Sequence, residues 1–270
     1  MQNKKFRSFL FTPAIKIKSL EKAREVNADI GILDLEDGVP KERKAEARRN
    51  VFNFFQIQPS FATGLRINKL ESEEGIKDIL LLLHMKNVPN LIIAPMVESA
   101  DEIKIVRNLL SKKPLIKLYS TLETPKALSC INEIAKVSDG LIFGSADFSA
   151  CMGINITWEG SLLARSLLAA AAASNEIPAI DTACFNLTDS LELEKECCNV
   201  KKLGFTGKAA IHPSQVQTIN LNFSPSEDQI NFAKNIIAEY NRSQGGISRV
   251  SDTMIGPPFV KMAKQILGIA

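Results

Sequence analysis

Charged side chains stand where short apolar runs end. Asp34-Leu35-Glu36-Asp37 closes one run, Arg66-Ile67-Asn68 a second, and Glu98 follows a third. Glu123 and Asp181 end two more, Asp147 follows another, and His212 closes the last. Carboxylate oxygens suit a hard cation such as Mg²⁺, which takes one or two protein carboxylates and completes its octahedron with water and substrate oxygens. Glu123 and Asp147 come from consecutive runs and form the candidate metal pair. A purely structural reading serves them equally: Glu123 favours the positive end of a helix opening at Thr124-Pro125, and Asp147 is a turn residue after Gly144.

Arg66 lies between Leu65 and Ile67, where an unpaired charge is costly, so it needs a partner. That partner is either a substrate carboxylate or thioester oxygen gripped by the guanidinium fork, or Glu36 or Asp37 in an internal salt bridge. Asp37-Gly38 reads as a turn, with one of the nearby acids neutralised by Lys44 or Arg48. His212, in Ile211-His212-Pro213, reads as a satisfied structural group more readily than as a base, and His84 reads as a helix residue. Gly144-Ser145-Ala146-Asp147 matches neither GxGxxG nor a P-loop, so nucleotide-triphosphate chemistry is not implied. Cys130, Cys151, Cys184, Cys197 and Cys198 show no CxxC spacing and no pairing with histidine; they read as reduced, buried hydrophobes.

The elements that must position these groups are β-rich runs alternating with amphipathic ones. The predicted strands are 8–12, 30–35, 64–68, 90–95, 116–122, 140–144, 177–181 and 208–212. Helical patterns fall at 41–55, 74–83, 100–110, 125–136, 158–174 and 190–203, the last two behind Thr157 and Asp189 as N-caps. Eight βα units predict an α/β fold, a (β/α)₈ TIM barrel over residues 1–222, although a doubly wound sheet shows the same local alternation. In a barrel the strand ends meet at one mouth, so acids on separate strands converge there. Residues 223–270 are extra: a helix over 225–240, a Gly-Gly segment near Gly245, a short polar segment from Asp252 to Pro258, and a helix ending at Leu267. Such an extension serves as a helical lid or as an arm onto a neighbouring subunit.

The 270 residues are 45% hydrophobic and 23% charged, with 33 Lys and Arg against 30 Asp and Glu. A net charge of +3, with two Tyr and one Trp to stack on bases, argues against a nucleic-acid partner. The apolar run Phe9 to Phe11 is too short for a signal peptide, and 162–173, interrupted by Arg165, is too short to span a membrane. The expectation is a soluble, cytoplasmic chain.

These segments resemble the citrate lyase beta subunit group of the HpcH/HpaI aldolase superfamily, which includes malyl-CoA and citramalyl-CoA lyases. Arg7-Ser8-Phe9-Leu10-Phe11-Thr12-Pro13 resembles an RSxLFxPG opening. Leu33-Asp34-Leu35-Glu36-Asp37-Gly38-Val39, with Lys44 and Ala47-Arg48, is similar to DLEDxV followed by K and AR. Leu65-Arg66-Ile67-Asn68 resembles RIN, Pro95-Met96-Val97-Glu98-Ser99 resembles PKVES, and Glu123-Thr124 the ET turn. Phe143-Gly144-Ser145-Ala146-Asp147-Phe148 is similar to FGAEDL, and Gly204-Phe205-Thr206-Gly207-Lys208 with Ile211-His212-Pro213-Ser214-Gln215 to GFxGK and IHPxQ. Seven segments in the family's order make the resemblance specific.

The resemblance implies a (β/α)₈ barrel, Mg²⁺ on Glu123 and Asp147, and Arg66 on the substrate carboxylate or keto-acid oxygens. Glu36 and Asp37 join Arg66 as catalytic-site residues, with Pro13 and His212 toward substrate. Ser251-Asp252-Thr253-Met254-Ile255-Gly256 resembles a segment carrying a catalytic Asp into a neighbouring subunit's site, which puts Asp252 in that role and implies a homotrimer or a multiple of it. The implied reaction is Mg²⁺-dependent cleavage of a citramalyl-, malyl- or citryl-type coenzyme A thioester into acetyl-CoA and a 2-oxo acid. Two alternatives are a coenzyme A-independent aldolase using a pyruvate enolate, toward which the GSADFS stretch leans, and a silent thioester-binding subunit. The departures from the family pattern are Ala14, Met96, Ala146, Thr253 and Gly256, in place of Gly, Lys, Glu, Gly and Asp.

Overall fold

The structure, a computed structural model, describes residues 6–113, 115–243 and 245–269, so the basic start Met1–Lys5 lies outside the described residues. The chain forms two compact units, Met1–Phe223 and Ser224–Ala270.

The first unit is a closed barrel of eight parallel strands: β1 (Ser8–Pro13), β2 (Ile30–Asp34), β3 (Thr63–Arg66), β4 (Leu91–Ala94), β5 (Lys117–Leu122), β6 (Gly140–Phe143), β7 (Ala179–Asp181) and β8 (Gly207–Ala210). β8 returns to β1 through Ser8 opposite Lys208, and this closure excludes the doubly wound sheet. The helices around it are α1 (Leu20–Glu25), α2 (Lys44–Phe54), α3 (Glu73–His84), α4 (Ala100–Leu109), α5 (Pro125–Ser129), α6 (Ile131–Val137), α7 (Ser145–Met152), α8 (Trp158–Ser174), α9 (Ser190–Leu203) and α10 (Gln215–Phe223).

Strand alternation divides the core into two layers. Phe9, Ile30, Ile32, Leu91, Ile93, Tyr119, Ile142 and Ile180 fill the barrel interior. Leu33, Leu65, Ile92, Leu118 and Leu141 face outward onto the helices. The same alternation carries β2 from Ile32 inside to Asp34 at the mouth, and register sets Pro13 beside Asp34 and Asp34 beside Arg66.

The predicted caps hold: Thr157 accepts from Gly160 N–H at 3.2 Å, and Asp189 from Leu191 and Glu192 N–H at 2.9 and 3.1 Å. The helix expected over 125–136 breaks at Cys130 into α5 and α6. Asp147, read in one alternative as a turn residue, lies in the first turn of α7, a helix too short and weakly patterned to show in the sequence. Arg165, which interrupts the apolar face of α8, is buried with Nε 2.8 Å from Asp181 and its guanidinium over the Phe143 and Trp158 rings. Among the cysteines, Cys184 and Cys197 are buried as expected, but Cys151 and Cys198 are exposed, because each stands on the solvent side of its helix.

The second unit consists of α11 (Glu227–Arg242), β9 (Ser248–Val250), β10 (Thr253–Ile255) and α12 (Pro257–Leu267). Its core is Ala233, Ile236, Val250, Ile255 and Ala263. The polar segment around Asp252 is the turn of an antiparallel hairpin, with Thr253 opposite Val250. Ser251 takes φ 52°, the sign that a two-residue hairpin turn needs at its first central position.

Candidate active site

At the carboxyl ends of the strands opens a cleft of about 410 Å³. Asp34, Asp37, Glu123 and Asp147 line it together with Arg66, the sole cation among the described lining residues. Pro13, Ala146 and Phe185 complete much of its apolar wall.

Arg66 is gripped by Asp34 through a bidentate pair, Nε to Oδ1 at 2.7 Å and Nη2 to Oδ2 at 2.6 Å. Its Nη1 lies 2.8 Å from Oε2 of Glu36, an ion pair without hydrogen-bond alignment, so that buried oxygen accepts no bond. The protein partners of Arg66 are therefore Asp34 first and Glu36 second; Asp37 borders the cleft and forms no ion pair among the described residues. Two of the five guanidinium N–H groups bond Asp34, and the other three are carried by Nη1 and Nη2. The guanidinium also lies over the Phe11 ring, 5.3 Å from its centroid. Burial opposes the charge on Arg66, but the Asp34 bonds and the fields of Asp34, Glu36 and Asp37 outweigh it and raise its pKa.

Asp34 is saturated, since Glu36 and Gly38 also donate their N–H groups to it, both at 2.9 Å. Gly38 has to be glycine: a Cβ there would stand 2.5 Å from Asp34 Oδ2. Burial pushes the Glu36 carboxyl up to about 8, Arg66 pulling against it and Glu123, Asp37 and Asp34 adding to the rise. Neither Lys44 nor Arg48 neutralises these acids, contrary to the sequence expectation. Lys44 donates to the carbonyls of Leu35 and Glu36, and Arg48 pairs with Glu74 and Asp78.

Glu123 follows β5 and is 6% exposed, with Oε2 accepting the Met96 N–H at 2.7 Å. Met96 adopts φ 52°, strained for a non-glycine residue, and its backbone rather than its side chain holds the carboxylate. Burial pushes Glu123 up to about 7; the Met96 N–H opposes the rise and Asp147 adds to it. Gly144 lets Glu123 pass, since a Cβ there would meet its Oε1 at 2.5 Å. Asp147 is exposed at the mouth, and among the described residues neither it nor Glu123 forms an ion pair. Among the described residues no histidine or cysteine lines the cleft, and its carboxylates are hard oxygen donors that suit Mg²⁺.

Other strand-end residues do not reach the cleft. Asp181 points outward and is buried, with Oδ2 2.6 Å from Lys208 Nζ. Glu98 bonds Thr124 and Lys126, each at 2.9 Å. Asn68 lies beneath the acidic loop, where its side chain accepts from Lys44. His212 is exposed just past Ile211 of the cleft wall; its Nδ1 lies 2.8 Å from Ser214 Oγ, and it is not among the lining residues. Asp252 is exposed in its own unit and ion-paired with Arg249. The sequence reading missed Phe11, which the alternation Phe9, Phe11 placed inside the barrel, and Thr182, whose Oγ1 receives the Ser145 hydroxyl at 3.2 Å.

The family model for HpcH/HpaI aldolase/citrate lyase matches residues 7–213. The chain belongs to that family. Mitochondrial citramalyl-CoA lyase of Homo sapiens is 28% identical over 291 residues, covering 98% of this chain and 85% of the relative. RipC from Yersinia pestis is 37% identical with a TM-score of 0.75, covering 83% of this chain and 98% of that one. CitE from Mycobacterium tuberculosis, solved with magnesium, acetoacetate and coenzyme A, is 26% identical with a TM-score of 0.83, covering 98% and 97%. Within this aldolase/citrate lyase family the chain is a lyase. Among the described residues no helix is long and apolar enough to cross a membrane.

Proposed function

We propose that the chain is a Mg²⁺-dependent carbon-carbon lyase that splits a 3-hydroxyacyl coenzyme A thioester of citramalyl, malyl or citryl type into acetyl-CoA and a 2-oxo acid. The observation that carries this reading is the pair Glu123 and Asp147, two cleft carboxylates that form no ion pair among the described residues, beside a guanidinium already oriented by Asp34. Glu123 and Asp147 would hold the metal. When bound, Mg²⁺ supplies Lewis-acid polarisation of the substrate hydroxyl and its neighbouring carboxylate.

The chain's own residues do the rest. The N–H groups of Arg66 not bonded to Asp34 hold the carboxylate or the developing oxyanion, and Asp34 keeps the fork aimed. Glu36 stands against Nη1 of Arg66, and Asp37 and Pro13 border the same cleft. His212, one residue beyond the wall, is positioned for the outer part of a long substrate. As the bond between C2 and C3 breaks, its electron pair passes to C2, the hydroxyl proton passes to solvent water in the cleft and C3 becomes the ketone of the 2-oxo acid. The enolate carbon then takes a proton from Asp252 of a neighbouring subunit in a trimeric assembly.

The test is mass-spectrometric detection of acetyl-CoA and 2-oxo acid after incubation with citramalyl-CoA, malyl-CoA and citryl-CoA, with Mg²⁺ and with excess EDTA. Metal-dependent acetyl-CoA from one thioester identifies the acyl group. Pyruvate proton exchange in place of any thioester product would establish the coenzyme A-independent aldolase instead.

A further inference from the structure

Lys44, Arg48 and Asn68 have no place in the chemistry above, yet all three are buried or nearly so beside the acidic loop. The Lys44 side chain comes off the first residue of α2, and the residue is 8% exposed. Its Nζ donates to Leu35 O at 2.6 Å, Glu36 O at 2.7 Å and Asn68 Oδ1 at 2.6 Å. These three acceptors use all three protons of an ammonium. Asn68 is held in turn by Asp78, whose Oδ2 accepts its backbone N–H at 2.8 Å and its Nδ2 at 2.7 Å, and Nδ2 also reaches Leu35 O at 3.0 Å. Asp78 is fully buried and accepts from Arg48 at 3.0 Å, and Arg48 also pairs with Glu74. An unbroken polar chain thus runs from α3 through α2 to two consecutive carbonyls of the loop after β2.

Those carbonyls flank the residues that aim Arg66. Leu35 and Glu36 lie between Asp34 and the Glu36–Val39 turn, which is closed by Val39 N–H to Glu36 O at 2.9 Å. Pinning them fixes the Glu36 and Gly38 N–H groups that saturate Asp34, and sets Glu36 against Nη1 of Arg66. Buried, fully satisfied polar networks specify one geometry, because every displaced member leaves an unpaired group in a low dielectric.

We propose that Lys44, braced by Asn68, Asp78 and Arg48, is a positioning residue that locks the Leu35–Gly38 loop and, through Asp34, the plane of the Arg66 guanidinium. Its consequence for turnover rests on the lyase reading above; its consequence for the loop does not.

Two measurements separate these. Hydrogen exchange followed by mass spectrometry on the full chain is expected to show peptides spanning 34–39 exchanging about tenfold faster in Lys44→Met, with the strands opposite, β5 and β6, unchanged. Asn68→Ala, which leaves two of the ammonium's acceptors, is expected to give a smaller effect at the same peptides and keeps the test open if Lys44→Met does not fold. In a double-mutant cycle, Lys44→Met is expected to lower kcat/KM about tenfold in the wild-type background and less than about twofold beside Arg66→Lys, because its effect passes through Arg66. Unchanged exchange over 34–39, exchange raised throughout the barrel, or losses that multiply in the cycle would overturn the assignment. A wild-type chain without metal-dependent cleavage refutes the proposed reaction, and the exchange arm then decides the positioning role alone.

Discussion

Asp34 and Arg66, the last residues of adjacent paired strands, meet in two parallel hydrogen bonds of 2.7 and 2.6 Å. Asp34 accepts two backbone N–H groups as well, so one carboxylate ties the loop after β2 to the guanidinium of β3. Removing one partner of such a buried pair costs about 3–5 kcal/mol, because the other charge stays buried without compensation. Asp34→Ala is expected to lower stability by about that much in urea denaturation, and to lower kcat beyond what the remaining folded fraction accounts for. A loss under about 1 kcal/mol would mean that the bridge is solvated and does not fix Arg66.

The metal pair gives a sharper expectation. Glu123→Gln keeps the shape and the Met96 contact at the other oxygen but removes an anionic ligand, and Asp147→Asn does the same at the mouth. Each is expected to abolish Mg²⁺ binding measured by calorimetry and to reduce turnover to background, with the melting temperature unchanged or raised because carboxylate repulsion is relieved. Mg²⁺ binding that survives both substitutions would place the cation elsewhere.

Metal affinity should also follow pH. Burial holds the Glu123 carboxyl at about 7, so below that value a cation must displace its proton. The apparent association constant for Mg²⁺ is expected to fall about tenfold per pH unit below about 7 and to level off above it. In the metal-free protein the sign for stability is opposite. Glu36 at about 8 and Glu123 at about 7 are both raised from 4.5, so each holds its proton in the folded chain where the unfolded chain has lost it. Their contribution is fully present below 4.5 and is lost as pH rises through about 7 and then 8. Urea denaturation from pH 5 to 9, without and with Mg²⁺, checks this: the decline should be steep without the ion and shallower with it.

The barrel was legible because parallel strands buried on both faces read as short apolar runs alternating with helical patterns. Taking the strand ends as the mouth also placed Asp34, Arg66 and Glu123 in the cleft. That rule failed for Asp181, because alternation from the inward-facing Ile180 turns it outward, onto Arg165 and Lys208, neither of them near it in the chain. The partner of Arg66 was hidden for a different reason. Glu36 and Asp37 looked available and Asp34 looked like part of a strand, yet strand register brings Asp34 alongside. The Met96 contact had no signal at all, since a backbone N–H carries no residue identity. The hairpin at 248–255 was lost among polar residues, because strands of three residues carry too little alternation to read.

Asp252 offers a test of how the second unit takes part in the chemistry. It stands at the tip of a hairpin, its side chain almost wholly exposed and, among the described residues, ion-paired with Arg249 alone, so its removal takes no buried contact from the unit. Asp252→Asn is expected to leave Mg²⁺ affinity and the melting temperature unchanged while lowering turnover about 100-fold or more, the usual scale for losing a positioned proton carrier. The role proposed for it requires the hairpin of one subunit to serve the cleft of another. Mixing inactive Asp252→Asn with inactive Glu123→Gln, dissociating and reassociating the subunits, should therefore regenerate activity, because some interfaces then pair an intact hairpin with an intact cleft. Full activity in Asp252→Asn alone would assign proton transfer to a residue of the barrel, and low activity that mixing never restores would place Asp252 in the site of its own chain.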